Sequence, residues 1–242
     1  MTKLDETEPI IERMAAQIRL WQEGEDDRIH FLACYRLMTK NMLTAVAAGE
    51  FDDGVWVSEL LHHFAGYYFD ALTVYEHGDE RTPAVWSSAH DVACRCEGNV
   101  IENLFLGINA HINYDLVLTV VDMLQDEWPR LTPEQRALRY SDHCRVNDII
   151  ARTIDSVQDD VVEPQLWPMA WVDNLLGPLD EWALSRLITH WRDDVWRQAV
   201  TLLETASALE REQIVDDIES AVLRRARAIL NAGNPAEFAH LL

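Results

Sequence analysis

The sequence predicts an all-α fold, a single-domain helical bundle of about eight helices. Apolar residues recur three or four positions apart in almost every segment, which is the spacing of one helix face. The 242 residues include only 9 Gly and 8 Pro, few for the many turns of an all-β chain. Hydrophobic residues make up 48% of the chain, enough for one large core. We see no internal repeat or linker, so residues 1–242 are expected to form one domain, with its core at about 8–206 and a C-terminal helix at about 208–231 packed along it.

Helix ends are predicted from caps and breakers. Pro9 falls in the first turn of the first helix, Gly24 and Gly49 end the first two, and Trp128-Pro129 ends the fifth. The predicted helices span approximately residues 9–24, 25–48, 55–75, 84–97, 99–127, 132–161, 180–206 and 210–231. Residues 161–181 hold three prolines and two tryptophans, so we expect an ordered loop or lid there.

Charge and composition limit the partners. The 42 acidic and 20 basic residues give a net charge of −22, which repels nucleic acids and anionic membrane surfaces. The N-terminus lacks an apolar signal core and the four cysteines form no CxxC pair, so we expect a cytoplasmic protein with reduced thiols. A small-molecule substrate is the expected partner, and the sequence leaves a homodimer open.

The most informative segment, residues 102–118, reads ENLFLGINAHINYDLVL and places poor helix formers inside an apolar helix. Asn103, Gly107, His111 and Asp115 lie four residues apart and therefore form one row along the helix. Because aliphatic residues flank this row, we expect it to face a protected interior. The missing side chain of Gly107 leaves room for a ligand or for a neighbouring helix.

His111 and Asp115 are the predicted catalytic residues. They are expected either to bind a divalent metal (zinc, iron or manganese) or to act without metal, with Asp115 orienting the imidazole. His30 and His62 are candidate further metal ligands from facing helices. The HxxxD spacing resembles one element of the zinc-dependent phospholipase C and P1-type nuclease fold, and a metal-dependent hydrolase is therefore the favoured interpretation.

Further polar residues are expected to shape a substrate pocket. Arg192 is a candidate for holding a carboxylate or phosphate, and an ion pair with Asp193 or Asp194 is the alternative. His143 and Asn147 repeat the four-residue spacing of His111 and Asp115. The predicted substrate-binding residues are Asn103, Asn109, Asn113, Tyr35, Tyr67, Tyr68 and Arg192.

Two other functions remain open. One is a metal-free lyase or cyclase with His111 as acid or base. Residues 147–155 resemble a degraded second magnesium motif of class I terpene cyclases, and Asp122 and Asp126 could supply its acidic partner. The other is a non-catalytic ligand-binding or interaction protein, whose polar row is a structural network.

Five segments together are similar to a bacterial domain-of-unknown-function family that is common in actinobacteria and has a GINAHINxDL signature. They are HFLACYRLMT, HHFAGYYFDAL, NLFLGINAHINYDL, DHCRVNDII and WRDDVWRQA, and they fall within residues 25–205. This resemblance implies that His111 and Asp115 are important, and it implies no particular activity.

Overall fold

A computed structural model of the protein describes residues 8–159 and 181–231, and these residues form an all-α single-domain bundle, which confirms the predicted fold class. The described part of the chain contains eight helices longer than one turn. They are α1 (Glu8–Glu23), α2 (Ile29–Ala47), α3 (Gly54–Glu76), α4 (Ala84–Cys94), α5 (Val100–Leu124), α6 (Pro133–Asp159), α7 (Glu181–Glu204) and α8 (Ala208–Asn231).

Most helix ends fall within a few residues of the predictions because their caps are local. Asp53 caps α3 by accepting a hydrogen bond from the Trp56 amide, and Asn99 and Glu102 form a reciprocal capping box at the start of α5. The prediction for α4 runs three residues too far, since the helix ends at Cys94 and Cys96 turns the chain with a φ of 52°. The predicted loop at 161–181 lies outside the described residues, apart from its last residue.

Helix α5 is the centre of the bundle and packs against α2, α3, α4, α7 and α8. It is the one helix in the described part of the chain that is long and apolar enough to cross a membrane. However, 78% of its most apolar window is buried inside the protein, as in the core helix of a bundle. Its polar row therefore lies among neighbouring helices.

Helices α5 and α2 approach each other closely at Gly107. A Cβ atom at this position would lie 2.4 Å from Cγ of Phe31 and 2.6 Å from its Cδ2, far inside van der Waals contact. The Phe31 ring is buried and is itself packed against Tyr35, Tyr68 and Trp86, so it has little room to move. The space that Gly107 leaves is thus filled by a neighbouring helix, one of the two alternatives that the sequence left open.

We expect Gly107→Ala to lower the free energy of unfolding by about 1–3 kcal/mol, since overpacking outweighs the better helix propensity of alanine. Urea unfolding followed by circular dichroism measures this change. Gly66→Ala in α3 is the matched control, because its Cβ would meet nothing within 4 Å. That substitution is expected to be neutral or stabilising, and an equal loss at both sites would contradict the packing argument.

Candidate active site

The middle of α5 departs from α-helical geometry. Residues His111–Asp115 form one π-helical turn between two α-helical segments, Val100–Ala110 and Leu116–Leu124. Such turns are rare and are frequent at functional sites. The helical periodicity of the sequence did not reveal this turn, and the only signal for it was the cluster of poor helix formers.

His111, Asp115 and Trp86 form a buried chain of hydrogen bonds. Nδ1 of His111 lies 2.9 Å from Oδ2 of Asp115, and Nε1 of Trp86 donates to both carboxylate oxygens at 3.1 and 3.0 Å. All three side chains are at most 2% exposed. The sequence analysis did not identify Trp86. A buried indole N–H usually needs an acceptor, but this rule applies to every tryptophan and does not identify Asp115 as the partner.

The other nitrogen of His111 is unpaired. Nε2 is buried and has no hydrogen-bond partner in the described part of the protein. The imidazole is held between aromatic rings, with Phe64 stacked parallel to it at a centroid distance of 3.5 Å and Tyr35 against it at 4.3 Å. Packing and the bond to Asp115 therefore fix the ring while leaving one polar atom unsatisfied, which is costly unless a ligand pairs with it.

Burial shifts the pKa values of His111 and Asp115 in opposite directions. It lowers the pKa of His111 well below its ordinary value and raises the pKa of Asp115 well above its own, because both charged forms lose hydration. The N–H of Trp86 works against the second shift, since it stabilises the carboxylate. When both groups are uncharged, the hydroxyl of Asp115 can donate to Nδ1 of His111, and the imidazole proton is then on Nε2.

His111 lines a cavity of about 100 Å³ between α2, α3, α5, α6 and α7. The wall is mainly aliphatic and aromatic, with polar side chains contributed by Tyr35, Thr39, His111 and Arg192. Its apolar lining residues are Phe31, Met38, Met42, Leu60, Leu61, Phe64, Ile108, Ile112, Leu116, Val146, Ile150 and Ile188, together with Cys34. The structure therefore places the imidazole of His111 at the wall of a largely apolar cavity.

Arg192 reaches the same cavity from α7. Its Nε donates to Oδ1 of Asn147 at 2.7 Å and its Nη2 donates to the carbonyl of His143 at 2.8 Å. In turn, Nε2 of His143 lies 2.9 Å from the backbone carbonyl oxygen of Arg192. The four-residue pair His143 and Asn147 thus positions the arginine, a role that the sequence did not reveal.

The predicted tyrosines have three different positions. Tyr35 lines the cavity, and burial raises the pKa of its hydroxyl. Tyr68 is fully buried beside Trp86 and Phe31 but does not line the cavity. Tyr67 donates to Oδ2 of Asp122 near the surface and does not line the cavity, so the structure does not bring it to the site.

None of the three predicted asparagines lines the cavity, and Asn109 instead joins α5 to α8. Asn109 donates to the carbonyl of Val222 in α8 at 3.0 Å and accepts a bond from Asn113 at 3.2 Å. Asn103 donates to the carbonyl of Gly98 at 3.4 Å, before the start of α5. The substrate-binding role expected for these three residues has no support in their contacts, and the structural network fits Asn109 and Asn113.

The described residues do not assemble the predicted metal ligands. Nε2 of His30 lies 3.4 Å from Asp27, and Nδ1 of His62 donates to the carbonyl of Ser58 at 2.7 Å. Within residues 8–159 and 181–231, no group of three or more His, Cys, Asp or Glu side chains is placed to hold a metal. His111 and Asp115 by themselves offer only one unoccupied nitrogen, because Trp86 and His111 use the carboxylate oxygens.

The residues that resemble a cyclase motif also lie apart. Asn147 accepts the bond from Arg192, whereas Asp148 is exposed on the other face of α6. Asp122 is exposed and paired with Tyr67. The contacts of these side chains therefore give no support to a magnesium site of that kind.

Comparison with known proteins gives a family and no activity. Searches against curated proteins and against solved structures found no match. Residues 7–232 match the model of a family of unknown function (DUF5995). This match covers nearly the whole chain, including α5 and the helices around it. The protein therefore belongs to this family of unknown function.

Proposed function

We propose that the protein is an enzyme that performs metal-free acid/base catalysis on a small, largely apolar substrate in the cavity. The observation that carries this proposal is the geometry of His111. Its Nδ1 is fixed by Asp115, while its Nε2 is buried, belongs to a cavity-lining side chain and has no partner among the described residues. A buried imidazole with one oriented and one available nitrogen is suited to proton transfer.

The hydrogen-bond chain allows a proton to leave without creating a charged imidazole. As Nε2 of His111 gives its proton to an acceptor atom of the substrate, Nδ1 takes the proton of Asp115. The imidazole stays neutral, and the negative charge resides on Asp115, where two contacts from Nε1 of Trp86 stabilise it. The reverse sequence takes a proton from the substrate, so the same groups serve as acid and base in an elimination, addition or isomerisation.

The metal-dependent hydrolase favoured by the sequence has less support. His30 and His62 lie in contacts of their own, and the donor set around His111 does not suit a divalent ion. The second candidate function is non-catalytic ligand binding, with Nε2 of His111 as a hydrogen-bond donor. The strongly apolar wall of the cavity favours it, because few polar groups are available to act on a substrate.

Turnover in a metabolite mixture tests the enzymatic proposal. We expect the wild-type protein to deplete at least one small metabolite and to accumulate its product, as measured by mass spectrometry. His111→Asn should abolish this conversion, because the amide keeps the contact to Asp115 and removes Nε2.

The matched control is Tyr67→Phe, which removes a polar group from the outer side of α3 and should leave the conversion unchanged. If wild type and His111→Asn give the same metabolite profile, catalysis at His111 is ruled out. Binding without chemistry then becomes the better description.

A further inference from the structure

Arg192 is a buried cation without a carboxylate partner in the described part of the protein. Its side chain lines the cavity and the residue is 4% exposed. Of the two acids that were expected to neutralise it, Asp194 pairs with Arg197 and lies 3.7 Å from His190. Asp193 acts on Arg192 through its charge without forming an ion pair with it. No ion pair joins Arg192 to Asp193 or to any other described acid.

The partners that Arg192 does have are neutral. They are the amide oxygen of Asn147, the backbone carbonyl of His143 and, at 3.5 Å from Nη2, Nδ1 of His143, while Nη1 has no hydrogen-bond partner among the described residues. Burial lowers the pKa of Arg192 to about 10, so the guanidinium is still charged at neutral pH. Burial also lowers the pKa of His143, which leaves that imidazole neutral. Among the described residues, the site therefore carries one positive charge that neutral groups orient and that no carboxylate is bonded to, with Asp193 acting on it only through its charge.

An uncompensated buried charge is expensive, and an anionic ligand removes that cost. Arginine is the side chain best suited to hold a carboxylate in a dry site, because its donors match the planar acceptor. The rest of the cavity accepts only apolar atoms, apart from the polar groups near His111. The charge of Arg192 and the apolar wall of the cavity therefore favour a ligand with one anionic end and a compact hydrocarbon body.

The volume sets the size of that body. The cavity measures about 100 Å³, whereas an apolar cavity of about 150 Å³ accommodates benzene. The cavity has about two thirds of that volume, so a branched body of about four carbons is the largest that fits without movement of the walls.

We propose that the cavity binds a small carboxylic acid, with its carboxylate on Nη1 of Arg192 and its hydrocarbon body among Ile108, Ile112 and Phe64, next to His111. This inference names the substrate class of the proposed function and rests on that function only for the chemical step. Binding at Arg192 requires no catalysis.

Two ligands of the same shape and different charge test the inference. Titration calorimetry at neutral pH compares 3-methylbutanoate with 3-methylbutanamide on the full chain. We expect the wild-type protein to bind the acid at least about 10-fold more tightly than the amide, because only the acid neutralises Arg192. In Arg192→Gln the two affinities should agree within about 2-fold.

Arg225→Met is the matched control. Arg225 is a half-buried arginine of α8 that lies on the ring of Trp191 and near Asn109, and it does not line the cavity. Its loss changes the net charge by the same amount and should leave the acid preference intact. If Arg225→Met abolishes the preference as Arg192→Gln does, general electrostatics explains it and the inference is overturned.

The wild-type comparison decides the matter even where Arg192→Gln fails to fold. Equal affinity for acid and amide, or no binding of 3-methylbutanoate at millimolar concentration, overturns the inference. His111→Asn should keep the acid preference. A preserved preference without metabolite turnover therefore refutes the proposed function alone, and turnover of an uncharged metabolite without acid preference refutes this inference alone.

Discussion

Asp115→Ala is expected to lower the free energy of unfolding by about 3–5 kcal/mol, the largest effect of any single substitution that we consider. The change removes the acceptor of Nε1 of Trp86 and the partner of Nδ1 of His111, and both atoms are buried. It also leaves a small cavity in a packed core. Urea unfolding measures the loss.

Asp115→Asn separates the structural role of this residue from its proton. An amide has the shape of an uncharged carboxylic acid, since its oxygen accepts from Trp86 and its NH₂ donates to Nδ1 of His111. We therefore expect Asp115→Asn to cost about 1 kcal/mol of stability. Because the amide has no proton to release, turnover should fall by about 10²–10⁴-fold.

Asp122→Ala is the control for loss of an acidic residue, since Asp122 is exposed and binds only Tyr67 among the described residues. It should change stability by less than about 1 kcal/mol and leave turnover unaffected. An Asp115→Asn variant as unstable as Asp115→Ala would show that Asp115 is ionised in the folded protein. The proton pathway would then have to be abandoned.

Acidification from about pH 6.5 to pH 5 is expected to destabilise the protein steeply. His90, His111 and His143 are buried, and burial lowers the pKa of each, that of His90 to about 3. In the unfolded chain these side chains regain their ordinary pKa of about 6.5. Below that pH the unfolded state takes up protons that the folded state does not, so stability is lost as the pH falls.

Asp115 acts with the opposite sign, because its raised pKa keeps a proton in the folded state that the unfolded state releases. Three histidines that gain a proton on unfolding and one aspartate that loses one give a net uptake of about two protons. The free energy of unfolding should therefore fall by roughly 2.7 kcal/mol per pH unit near pH 5, where the unfolded histidines are almost fully protonated, and less steeply near pH 6.5. Urea unfolding at a series of pH values measures the slope.

His90→Phe tests the assignment of this slope. His90 stacks on Trp86 outside the cavity, and phenylalanine keeps the ring without the titrating nitrogen atoms. The slope should decrease by about 1.4 kcal/mol per pH unit, the value for one proton. A slope that is flat in the wild-type protein would mean that the buried histidines take up protons in the folded state.

Local sequence signals were sufficient for most of the fold. The capping residue Asn99 and the breaker Gly24 act on neighbouring residues, so the helices that they bound could be read directly from the chain. The proximity of His111 and Asp115 could also be predicted from the sequence, because residues four apart are neighbours on one face of a helix. Even the π turn preserves this contact at 2.9 Å.

The partners of these residues could not be predicted in the same way. Trp86 is 29 positions from Asp115, and Arg192 is 45 from Asn147, so no local pattern connects them. Tyr67 and Tyr68 are adjacent in the chain, yet one reaches the surface and the other the core. Which face of α3 meets α5 depends on how the two helices pack together.

The sequence by itself determined that the protein is an all-α bundle, that α5 carries a polar row in an apolar setting, and that His111 and Asp115 touch. These features depend on helical periodicity and on contacts within one turn. Only the tertiary structure decided that Gly107 admits Phe31, that Asn109 and Asn113 fasten α8, and that His111 and Arg192 share one cavity. Packing between distant segments sets those contacts, because each depends on the relative position of helices that no local rule specifies.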